Sequence, residues 1–298
     1  MRAFFISLPK IFFALPLLFS LSLRAQPGPE SPFDHIGPFG AFVFTELKPA
    51  LKEAALVYKM DLTGQVMEPK LTAKVPRLSN LQALKLGSNN LHALPKEFTQ
   101  LPALQFFSSK ENPFDSLPGE FGMLRELRYL ELIGTNFDTL PDALTHLGRI
   151  KSLQVQNNKA DTMHLPPDIG YLVSLEQLLF YKSRIDSLPA TIGQLKKLKT
   201  FYLVDCGLRQ LPPAACDLNA LETLVLDNNG LTAIPKQIGK LRNLHTLSLR
   251  NNKLTQIDER VCFLQNLAVL DLRGNAIPDY DLAVLKALLP GCTIYSGK

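Results

Sequence analysis

Side chains able to do acid–base, nucleophilic or metal chemistry are thinly spread along this chain. His35, His92, His146, His164 and His245 have no cysteine or carboxylate at ligand spacing, which predicts no metal centre. No Gly-rich phosphate loop, Gly-x-Ser-x-Gly elbow or other catalytic signature occurs, so neither an enzyme nor a cofactor is implied. Leu188-Pro-Ala-Thr-Ile-Gly193 approaches a sortase signal but lies inside a periodic segment with no hydrophobic tail behind it. Four cysteines in 298 residues do not make a disulfide scaffold. Cys216 and Cys262 lie two periods apart, beyond disulfide reach, whereas a pairing of Cys262 with Cys292 stays open. The chemistry left is recognition.

The strongest recognition candidates are apolar and aromatic. Leu179, Tyr181, Tyr202, Val204 and Val225 form one group, and Phe106, Tyr129 and Ile133 a second, smaller one. Asp205, Asp227, Arg250 and Arg273 supply a charged rim. Aromatic clusters with charged rims are typical of binding hot spots. The plainer alternative is that these pairs only stabilise a sheet.

What makes them neighbours is a repeat. Leucines at 78, 101, 124, 147, 172, 195, 218, 241 and 264 recur every 23 residues, with a single step of 25 between Leu147 and Leu172. The two extra residues fall in Lys159–His164. A fixed period in this range marks a solenoid. Within a unit, Leu224 and Leu226 alternate with polar residues as a half-buried strand does. Each strand recurs beside its predecessor, which requires a parallel sheet. Leu-Pro pairs such as Leu94-Pro95 and Leu211-Pro212 end the strand side and start the return. Ile169-Gly170, Ile192-Gly193 and Ile238-Gly239 then place an apolar side chain inward and a glycine where the backbone is expected to turn. One polar column lies between buried leucines: Asn89, Asn112, Thr135, Asn158, Ser183, Cys206, Asn229, Asn252 and Asn275. Buried polar groups need partners, so this column is read as a structural ladder joining coil to coil.

The pattern LxxLxxLxLxxNxLxxLPxxIGx, clearest from Leu218 to Lys240, resembles leucine-rich repeat proteins of the Ras-suppressor and plant Ras-group type, and secreted bacterial ones. The resemblance implies an α/β leucine-rich repeat solenoid with a parallel sheet on its concave face and short helical or extended segments on its convex face. It also implies protein binding as the default role, without naming a partner. Nine repeats are expected over 78–277, an N-terminal cap with an atypical first repeat over 45–77, and a C-terminal cap over 278–298. The caps leave no sequence for a second domain.

Arg2, Lys10 and Arg24 sit without any acid in the first 25 residues, ahead of and around a 13-residue apolar run from Ile11 to Leu23. That run is too short to span a bilayer, where about 20 residues are needed, and it fits a secretory signal peptide over 1–25. Cleavage after Ala25 is the first choice and after Ser22 the alternative. The first cysteine after the run is Cys206, too far on for a lipoprotein anchor. Residues 26–44 are rich in proline and glycine and read as an extended leader. Once the three basic residues are removed, the formal charge falls from +5 to +2, which gives no electrostatic case for nucleic acid or an anionic membrane.

The expectation is a secreted or periplasmic, non-catalytic protein-binding module working through its concave face. A glycan or peptidoglycan receptor is the alternative, weakened by the absence of Trp. A secreted effector acting on a host protein is another, and export argues against a cytoplasmic GTPase target.

Overall fold

In the computed structural model, residues 31–159, 161–185 and 187–297 are described. The signal peptide expected over 1–25 lies outside them. Twelve strands form one parallel sheet in strict chain order. They are β1 Val43–Phe44, β2 Lys59–Asp61, β3 Ala83–Gly87, β4 Phe106–Lys110, β5 Tyr129–Thr135 and β6 Ser152–Asn157. Then come β7 Gln177–Tyr181, β8 Thr200–Val204, β9 Thr223–Val225, β10 Thr246–Ser248, β11 Val269–Asp271 and β12 Thr293–Tyr295. The α-helices are α1 Pro32–His35, α2 Leu47–Ala50, α3 Pro69–Thr72 and α4 Asp279–Leu288. Return segments opposite the sheet are single 3₁₀ turns, from Lys96–Gln100 to Glu259–Phe263, most of them entered through the proline of Leu-Pro. The fold is thus a leucine-rich repeat solenoid. Leucines of the strands, turns and returns meet in one continuous core along its whole length.

The glycines of the Ile-Gly pairs serve close approach rather than a turn. A Cβ on Gly193 would sit 2.5 Å from the Ala214 carbonyl oxygen of the next coil, and Gly239 meets Arg260 in the same way at 2.9 Å. The chain turns instead just before every ladder residue but the one at the end of β6. Ser88, Glu111, Gly134, Lys182, Asp205, Asn228, Asn251 and Gly274 all take the left-handed conformation there. That turn aims the following side chain back into the core.

The ladder works through amide side chains. Asn229 Oδ1 accepts from the backbone N–H groups of Cys206 (3.1 Å) and Leu208 (3.0 Å), and its Nδ2 donates to the Leu203 carbonyl at 2.6 Å. Asn252 and Asn275 repeat the arrangement. Asn112 receives the N–H groups of Asn89 and Leu91. At the first rung the preceding coil departs from the repeat, and the buried Asn89 Oδ1 has no hydrogen-bond partner among the described residues. Ser183 and Cys206 hold their rungs through Oγ and Sγ.

One rung differs from the sequence expectation. Asn158 is exposed, and Asn157 takes its place, buried, with Oδ1 accepting from Phe137 N at 2.8 Å and Nδ2 donating to Phe137 O at 2.9 Å. The longer loop behind β6 lets the strand run one residue further without the left-handed turn, so plain alternation from Leu153 and Val155 brings Asn157 inward. The register shift between Ile133 and Thr135 against β6 is the same event seen from its neighbour.

The N-terminal segment differs too. From residue 31 on, the expected extended leader is packed structure: α1 lies on the sheet and β1 pairs with β2. The four cysteines are unpaired thiols, Cys262 and Cys292 included.

Candidate functional site: the open face of the sheet

Alternation along each strand sends leucines to the core and every second residue to the open face, the one expected to be concave. Parallel register then lines up the outward residues. Gln154, Leu179, Tyr202, Val225, Ser248 and Asp271 form one row across β6 to β11. Gln156, Tyr181 and Val204 form the neighbouring row. Tyr181, Tyr202, Val204 and Val225 are half-buried and lie together. The two tyrosine rings meet edge to face, with centroids 6.3 Å apart and planes at 82°. Burial pushes the Tyr181 phenol well above the ordinary tyrosine range. Burial, reinforced by the Asp227 carboxylate, pushes Tyr202 up to about 12. Both rings stay neutral at physiological pH and lie beside an apolar edge.

Leu179 belongs to this row but is 7% exposed, so it is a floor for the patch rather than a contact residue. The second expected group is taken apart. Phe106 is fully buried, because Phe33 and Ile36 of the N-terminal segment close over it and Ala83. Tyr129 packs half-buried against that small cluster, while Ile133 stays half-buried on β5. Between them Glu131 accepts from Ser108 Oγ at 2.8 Å and pairs with Lys110 at 3.4 Å.

The expected charged rim is largely consumed by the sheet itself. Asp227 is buried, and its Oδ1 accepts from Ser248 Oγ (2.6 Å) and Arg250 N (3.0 Å). Burial holds its carboxyl above the usual range, against the pull of those two hydrogen bonds. Arg273 is bound to Asp271, Nε to Oδ1 at 2.9 Å, and its guanidinium stacks 5.1 Å from the Tyr295 ring centre. Asp205 is exposed, but at the left-handed turn beyond β8 rather than on the strand row. Arg250 remains half-buried at the edge of the patch.

Sequence reasoning missed the cover over β2 to β4. Phe33 is 4% exposed, with its ring 5.7 Å from Phe106 and Lys85 Nζ 3.9 Å above it. Lys59 Nζ donates to the Asp34 carbonyl at 2.9 Å. The available signal was two large apolar residues, Phe33 and Ile36, one helical turn apart in an otherwise Pro/Gly-rich stretch. No group of three metal-ligating side chains occurs among the described residues, and no helix there is long and apolar enough to cross a membrane.

The family model described as leucine rich repeat matches residues 219–285. An internalin (InlF) of Listeria monocytogenes superposes with a TM-score of 0.69 at 16% identity, covering 84% of this chain and 70% of that one. The ectodomain of the receptor kinase GASSHO1/SCHENGEN3 of Arabidopsis thaliana, solved with CASPARIAN STRIP INTEGRITY FACTOR 2, is 28% identical with a TM-score of 0.58, covering 73% of this chain and 27% of that one. TLR13, in its complex with ssRNA13, gives 0.66 at 23% identity over 78% of this chain and 34% of that one. The chain thus spans about a third or less of the two receptors. No curated protein matches it in sequence.

Proposed function

The chain is a leucine-rich repeat protein, and from that premise we propose that it is an exported, non-catalytic binding module holding a protein partner on the open face of its sheet. The observation that carries this reading is the pair of neutral, half-buried tyrosines, Tyr181 and Tyr202, flanked by Val204 and Val225 on three adjacent strands. Aromatic side chains with a polar tip lose little entropy on binding and are the commonest interface anchors. A rigid row of strands holds them without reorganisation. A plant ectodomain of the same fold, solved with the factor named above, supports a partner on such a scaffold. Export rests on the apolar run behind Lys10.

The test is differential capture from the producing organism's extracellular and envelope fractions. The chain starting at Gln26 is compared with a Tyr181→Glu/Tyr202→Glu variant whose circular dichroism and melting are unchanged. A partner held by the first and weakened by about tenfold or more in the second supports the reading. Equal capture by both overturns the Tyr181–Tyr202 patch as the seat of the partner. Recovery of the chain from the cell exterior or periplasm, starting at Gln26 or Leu23, is the result expected for export; a cytoplasmic chain starting at Met1 rules that part out.

A further inference from the structure

Residues 31–36 lie on the open face like a bound ligand. Phe33 and Ile36, one helical turn apart, cover Ala83 and Phe106 in a small apolar cluster separate from the main core. Phe33 sits under Lys85 Nζ, and the Lys59 ammonium grips the Asp34 carbonyl. The connection onward is a tight turn: Gly37 (φ +90°) and Gly40 (φ +72°) take left-handed conformations around Pro38, and Phe39 between them is fully exposed. The strap does not fill its groove. A cleft of about 270 Å³ remains between Pro32, His35 and Ile36 on one side and Gln105, Arg128 and Tyr129 on the other.

Deepening the reading of a protein-binding open face, on which it rests, we propose that the groove over β2 to β5 is the seat of a partner peptide, with the chain's own Ser31–Ile36 standing in for it. The groove's chemistry specifies the occupant. It is a single helical turn with an aromatic anchor, a backbone carbonyl after it that a lysine reaches, and a branched aliphatic residue three positions on, as Phe33, Asp34 and Ile36 supply. Ala83 and Phe106 form the socket floor, Tyr129 its side, and the Lys59 and Lys85 ammonium groups lie against the face of the aromatic anchor. The partner must displace the strap to bind.

A fluorescein-labelled peptide of residues 31–41 serves as the probe, read by anisotropy against the wild-type chain and a Phe33→Asp chain that vacates the socket. A short tether holds the strap at an effective concentration on the order of 1 mM, so a strap that is shut nine-tenths of the time implies a dissociation constant at or below about 0.1 mM for the free peptide. The vacated chain is expected to bind with that affinity, and the wild type about tenfold more weakly. Lys85→Ala in the vacated chain, or Phe→Ala in the peptide, weakens binding. Absence of binding to a folded Phe33→Asp chain overturns the proposal, and so does equal binding to both chains, because the peptide then sits elsewhere. The assay contains no partner, so its failure leaves the Tyr181–Tyr202 reading standing, and equal capture by the tyrosine variant leaves the groove standing.

Discussion

Replacing Asn157 by alanine tests the displaced rung of the ladder directly. The side chain satisfies both backbone groups of Phe137, a fully buried residue, at 2.8 and 2.9 Å, and receives Thr135 Oγ1 at 3.2 Å. Alanine leaves that N–H and that carbonyl unpaired in a region closed to water. Each orphaned group costs about 1–3 kcal/mol, so Asn157→Ala, which orphans two, is expected to destabilise the chain by about 2–6 kcal/mol. Asn158, one residue on, is exposed, and its backbone N–H still reaches Thr135 O at 2.7 Å whatever the side chain. Asn158→Ala is therefore expected to stay within about 0.5 kcal/mol of wild type. A gap of about 3 kcal/mol is roughly a hundredfold in the folding constant, well resolved by urea unfolding followed by far-UV circular dichroism at constant m. Equal losses for the two variants, or the larger loss for Asn158→Ala, would refute the argument that strand alternation overrides the 23-residue count at this coil.

Gly134→Ala places a Cβ 3.1 Å from the Glu111 backbone at φ +86° and should cost about 1–2 kcal/mol in thermal or chemical unfolding, whereas a loss near zero would mean the turn relaxes freely. Thiol labelling of the native chain at pH 8 should be fastest at half-buried Cys262, slower at Cys292, whose thiol burial also raises, and slowest at Cys206 and Cys216, whose buried thiols are pushed up to about 12 and about 11; rapid labelling of Cys206 sinks the ladder assignment. Tyr202 keeps its proton more tightly folded, at about 12, than unfolded, near 10. Its contribution to stability is thus fully present below pH 10 and is lost as pH rises towards 12, so Tyr202→Phe should unfold less steeply over that window. An unchanged alkaline profile for that variant would contradict the burial that raises its pKa.

The repeat made most of the fold readable, because each leucine column answers to one requirement, burial against the next coil. Strand alternation likewise placed Tyr181, Tyr202, Val204 and Val225 together on one face. The same logic failed where a residue answered to something outside its own unit. Phe106 faces outward by pattern, yet a segment about 70 residues earlier covers it. Asp227 carries a charge typical of a surface, yet Ser248 and Arg250 of the next coil hold it buried. Asn158 matches the column by count, but a count does not show whether a strand ends in a left-handed turn.

From the sequence alone come the solenoid, its register, most of the polar ladder and which residues share the open face. These follow from a period short enough for neighbouring units to contact each other in the same way each time. The tertiary structure decided which outward residues remain available: the tyrosine patch stays open, the arginine–aspartate rim is tied into the sheet, and the first strands carry a strap. Exposure depends on every atom that packs nearby, including those far away in the chain, and no local pattern encodes that sum.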